Sequence, residues 1–164
     1  MFKKLFTVAL ISVAFVACNN TTETQEEAVE ENNHEHDHGA MTEEASADAL
    51  YVPANARVYF ANLKDGETVS SPFIVQFGIE GMEVRAAGEI IKGTGHHHII
   101  IDDAATDSGT IVPADDTHIH FGGGQTETEL TLAPGTHTLT LQFANGIHQS
   151  FGPQMSATIS VIVK

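Results

Sequence analysis

The chain has 164 residues, with 22 acidic against 7 basic side chains and a formal charge of −15. So acidic a balance sets nucleic acid aside as a partner. A single cysteine, Cys18, leaves no material for a disulfide framework or a thiolate cage.

The first four residues, Met-Phe-Lys-Lys, open on a basic start, and an apolar run from Leu5 to Ala17 follows. That run is too short for a permanent transmembrane helix and reads as a signal segment over residues 1–17. It ends in Phe15-Val16-Ala17-Cys18, which matches a lipoprotein cleavage box with phenylalanine in the usual leucine position. Cys18 is then diacylated and becomes the mature N-terminus, anchoring the chain to a membrane. The alternative is an ordinary secreted protein with a chance cysteine at its cleavage site. A thioether-linked Cys18 also explains how an exported chain can carry one cysteine, because a free thiol would be reactive in an oxidising compartment. Asn19, in place of an aspartate, favours sorting to the bacterial outer membrane, facing the periplasm.

Removal of Lys3 and Lys4 with the signal takes the formal charge from −15 to −17. Ten of the acids lie between Asn19 and Ala49, a stretch without basic residues and almost without large apolar ones. Such a segment cannot bury enough surface to offset its ordering entropy, so residues 18–49 are expected to form a disordered acidic tether. Within it His34-Glu35-His36-Asp37-His38 alternates imidazoles with carboxylates, a composition that gathers Zn²⁺, Cu²⁺ or Ni²⁺ weakly. A polar spacer that happens to be His-rich is the competing reading.

Residues 50–164 have the size of one domain, and their pattern is strand and turn throughout. Expected strands are Arg57 to Leu63, Phe73 to Ile79, His96 to Ile101, Thr117 to Phe121, Thr126 to Leu132, Thr136 to Phe143 and Met155 to Val163. Seven to nine short strands at this spacing predict an all-β fold, an immunoglobulin-like antiparallel β-sandwich whose core rests on Phe, Ile, Val and Leu. A barrel or jelly roll is the alternative.

Two His-x-His pairs, His96/His98 and His118/His120, carry most of the chemical information. Side chains two apart on a strand share a face and lie about 6.5–7 Å apart, close enough for two imidazoles to converge on one ion. If the strands are neighbours, these four residues form an imidazole patch on the outer sheet face, since Ile119 and Phe121 claim the inner one. Asp102, Asp103, Asp107, Asp115 and Asp116, on the loop between, are candidates to orient the rings. Copper or zinc is the expected ion, with His148 and Met155 as further candidate ligands. The competing reading is a polar sheet surface of hydrogen-bonded histidines without metal. His137, in phase with Leu139 and Leu141, reads as a histidine at the core edge. Gly122-Gly123-Gly124 lacks a P-loop lysine and a following helix signal, and reads as a turn. No nucleophile elbow or other catalytic motif appears, so no enzyme and no nucleotide or organic cofactor is expected.

The runs Phe60-Ala61-Asn62-Leu63-Lys64-Asp65-Gly66, Gly93-Thr94-Gly95-His96-His97-His98 and Ile119 to Thr128, with Gly135-Thr136-His137-Thr138-Leu139, carry a resemblance. It extends through Phe143-Ala144-Asn145-Gly146, His148 and Gly152-Pro153. In these motifs the chain resembles a bacterial envelope family, domain of unknown function 4399. The resemblance implies an exported single domain and brings no activity with it. Two functions therefore stand: a lipid-anchored envelope protein that binds copper or zinc through paired His-x-His motifs, or a non-metal interaction module for an envelope protein or glycan.

Overall fold

A computed structural model describes residues 48–164. Cys18, the signal segment, all but the last two residues of the tether, and His34, His36 and His38 lie outside the described residues. The elements run β1 (Arg57–Phe60), β2 (Glu67–Val69), β3 (Phe73–Glu80), β4 (Glu83–Val84), β5 (Thr94–Ile101), β6 (His118–His120), β7 (Glu127–Leu130), β8 (Gly135–Ala144) and β9 (Ser156–Val163). One 3₁₀ turn, Pro153–Met155, precedes β9.

The nine strands make two sheets, β1-β3-β7 and β2-β9-β8-β5-β4, with β6 added to β5 beside β4. Strand β3 shows the pattern that makes a sandwich: Phe73, Val75 and Phe77 are buried while Ile74 and Gln76 are exposed. Facing them from the larger sheet are Ile99, Leu139, Leu141, Phe143 and Val161, each with no exposed surface. The fold is the expected all-β, sandwich-like one. The larger sheet is mixed rather than wholly antiparallel, because β2 runs parallel to β9 and β4 parallel to β5. Those two strands have three and two residues, too short for the alternation that identifies a strand in sequence.

Strand β5 is buried on both faces along all eight residues. Its inner face meets the core, and its outer face is roofed by two loops. Gln142, the cross-strand partner of His98, accepts a hydrogen bond from the Thr106 backbone N–H at 3.1 Å and donates to the Gly152 carbonyl at 3.1 Å. Ser150 Oγ donates to the Thr106 carbonyl at 2.8 Å, tying the loops together. The polar outer face of β5 and β8 is thus removed from water with its amide satisfied, as burial of a polar group requires.

Candidate metal centre

Alternation on β5 sends His96 and His98 to the outer face and His97 to the inner one. His97 stands edge-on between Phe77 and Phe143, 4.9 Å from each ring centre. Gly95 precedes the triplet because any Cβ there would collide with the Ala144 carbonyl oxygen on β8. On the other side of β5, His120 pairs with His98 in an antiparallel ladder, placing their side chains together on the outer face. The next glycine, Gly122, lies flat against the His120 imidazole, and a Cβ there would collide with it.

A fourth imidazole arrives from the turn after β8. Asn145 Oδ1 accepts from the backbone N–H groups of Ile147 at 3.1 Å and Gln149 at 3.0 Å, and the His148 N–H returns to the Asn145 carbonyl at 2.9 Å. This tight reversal puts His148 in the left-handed region at φ 70°, a conformation that histidine tolerates better than most residues. It also carries the ring back over β5 and β6.

Within the cluster, His96 Nε2 lies 3.1 Å from His98 Nε2, and His120 Nε2 lies 3.1 Å from His148 Nε2. Ring centres of the four are separated by 4.6 to 6.0 Å, the longest distance joining His98 to His148. One ring nitrogen from each of His96, His98 and His120 lies within 4.8 Å of the other two. Zinc–imidazole bonds of about 2.0–2.1 Å imply ligand nitrogens roughly 3.3 Å apart in a tetrahedron. The two 3.1 Å pairs are therefore near ligand spacing before any ion is considered.

Electrostatics keeps His96, His98 and His120 neutral. Desolvation pushes His98 down to about 2, with His96, His120, His148 and His97 adding repulsion. Desolvation, then His120 and His148, take His96 down to about 4, and burial also lowers His120. A neutral imidazole offers a lone pair to a metal at neutral pH, whereas an imidazolium does not. Nδ1 of His96 and of His98 is buried without a hydrogen-bond partner from the protein. The loop aspartates do not supply one.

The expected patch thus differs in one member. His118 pairs with Ile100, farther along β5 from His96 and His98, and its Nδ1 is taken by Asp115 Oδ1 at 2.9 Å. Asp115 also accepts from Thr117 and the His118 N–H, and these bonds, that to the His118 ring foremost, hold its carboxyl well below the usual carboxylate range. Asp102 is likewise engaged, by His137 Nδ1 at 2.8 Å, which raises the His137 pKa. Met155, expected as a further ligand, instead has no exposed surface and packs in the hydrophobic core at the end of the 3₁₀ turn. His148 takes the place expected of His118. The sequence signal for it was the Asn145-Gly146 turn, which folds the chain after β8 back toward its neighbour β5.

An all-β domain that gathers four imidazoles on the outer face of its larger sheet has a donor set compatible with a transition-metal ion. The family model described as domain of unknown function (DUF4399) matches residues 75–164, which include all four histidines, and the chain belongs to that family. No curated protein and no solved structure matches it.

Proposed function

We propose that the domain binds a copper or zinc ion through His96, His98 and His120, with His148 as fourth ligand. The observation that carries this reading is the approach of three imidazole nitrogens to within 4.8 Å of one another. Imidazole suits Zn²⁺, Cu²⁺ and Ni²⁺, and with no sulfur donor in the cluster the ligand set does not favour a soft ion. We further propose that Cys18 carries a lipid and holds the domain in the bacterial envelope, on the outer membrane and facing the periplasm. The run from Lys3 to Cys18 supports this.

The test uses the full chain without a polyhistidine tag and with His34, His36 and His38 changed to alanine, so that only the domain titrates. It should bind one Cu²⁺ or Zn²⁺ at micromolar strength or better in calorimetry. A flat titration for both ions would end the proposal. Incorporation of labelled palmitate that disappears in Cys18→Ala tests the anchor.

A second reading rests on the same 3.1 Å pairs, since one neutral imidazole can donate its N–H to the next and satisfy both without an ion. The domain would then be an interaction module for an envelope protein or glycan. It predicts a melting temperature that neither chelator nor added Cu²⁺ changes.

A further inference from the structure

The four imidazoles are not held alike. His96 and His98 have no exposed surface and sit on a strand bonded on both edges. His120 is itself exposed, but it belongs to the ladder with β5, and its ring rests against Gly122. These three nitrogens are fixed by sheet geometry. His148 is half-buried and sits in a tight turn at φ 70°, with its ring centre 4.6 Å from that of His120, 5.0 Å from that of His96 and 6.0 Å from that of His98. Beside it, Ile147 is 38 % exposed, so the turn borders solvent. Moving His148 outward disturbs one turn and the bond its carbonyl accepts from the Val112 N–H at 2.9 Å, whereas moving any other member breaks a sheet ladder.

We infer that His148 is the displaceable ligand of the centre, through which the ion enters and leaves by exchange with a nitrogen donor of an incoming partner or chelator. The inference rests on the metal-site reading above. In the exchange, a metal–nitrogen bond to the incoming imidazole or amine forms as the bond to His148 Nε2 breaks. No electron changes place, and the metal keeps its charge. The three strand histidines hold the ion meanwhile, as three protein ligands hold a metal whose fourth position is open to other molecules. The turn closes again because Asn145, only 1 % exposed, keeps its bonds to Ile147 and Gln149. A left-handed residue at a site of change is where backbone strain is expected to be kept.

The experiment compares His148→Ala and His120→Ala in the tag-free full chain whose His34, His36 and His38 are alanine, loaded with one equivalent of Cu²⁺. Both positions are at the rim of the cluster, and His148→Gln, which keeps the side-chain bulk, guards against a folding defect. His148→Ala and His148→Gln should each weaken Cu²⁺ by about tenfold or less, and His120→Ala by about a hundredfold or more. EDTA should strip Cu²⁺ from both His148 variants at least about tenfold faster than from the unaltered chain. Millimolar imidazole should restore the slower rate and the nitrogen splitting of the Cu²⁺ spectrum in those variants, but not in His120→Ala. The inference is overturned if His148 variants lose as much affinity as His120→Ala, or if EDTA strips them no faster than the unaltered chain. Failure of the unaltered chain to bind Cu²⁺ or Zn²⁺ would instead overturn the metal-site reading, and the exchange with it.

Discussion

The two His-x-His motifs have the same spacing and different fates. On β5 both histidines stay together, fully buried and neutral, because the strand is long, paired on both edges and roofed. On β6 the pair is divided: His120 joins the β5 histidines, while His118 turns to Asp115. Spacing puts two side chains on one face, but only a ladder on both sides and a covered surface keep them at one point. Strand β6 has three residues, and the turn before it competes for the first of its histidines. The vacancy at the fourth corner is then filled from a different element, the turn carrying His148.

The sharpest break of this comparison removes the β5 pair. His96→Gln with His98→Gln keeps the buried volume and deletes both strand ligands, and the domain should lose at least about a thousandfold in Cu²⁺ affinity, ~4 kcal/mol. Calorimetry reads the loss, and retained affinity would place the ion elsewhere.

Acid should act on the fold through the histidines that β5 buries on both faces, His97 among them. Burial between Phe77 and Phe143 takes His97 down from 6.5 to about 4, and neither of its ring nitrogens has a hydrogen-bond partner. The unfolded chain takes up a proton below 6.5 that folded His97 refuses, so stability is complete above that pH and falls as pH drops toward 4. For His97 alone this is on the order of 3 kcal/mol between those limits. Urea unfolding of the metal-free protein at pH 7 and pH 4.5 measures it, and His97→Phe should flatten the dependence by that amount. An equally steep loss in His97→Phe would mean that other groups carry the acid sensitivity.

Separate substitutions divide the β6 motif. His118→Ala should leave metal affinity within about twofold, while His120→Ala costs about a hundredfold. His118→Ala removes a hydrogen-bonded pair whose aspartate is largely exposed, so stability should fall by less than about 1 kcal/mol. Equal affinity losses would mean that His118 leaves Asp115 when metal binds.

Much of the fold was legible because β3, β5, β8 and β9 carry eight to ten residues of apolar pattern. The short parallel strands were not, since two or three residues hold no period. Three of the cluster's four members could be read from two motifs. The exchange of His118 for His148 could not be read so directly, because it depends on a side-chain bond within the Asp115 turn and on the backbone of Asn145 to Gln149. Met155 was misplaced for a related reason: the Gly152-Pro153 break reads as loop, whereas its single 3₁₀ turn aims the thioether into the core.

The smallest effect tests whether the motif His34-Glu35-His36-Asp37-His38 cooperates with the domain site. The Ala49 carbonyl accepts a hydrogen bond from Asn145 Nδ2 at 3.2 Å, so the chain joins the domain beside the turn that carries His148. Ten residues lie between His38 and Ala49, a contour of at most about 40 Å. A weak ligand on so short a connection has an effective concentration in the millimolar range. Changing His34, His36 and His38 to alanine should therefore slow loading of the domain from a weak Cu²⁺ chelate by about threefold to tenfold while leaving its equilibrium affinity unchanged. Stopped-flow absorbance of the two full-length proteins at equal concentration reads the rate. Identical rates would leave the acidic stretch with spacing as its only proposed role, and a change in affinity would mean that the motif contributes a ligand rather than a delivery step.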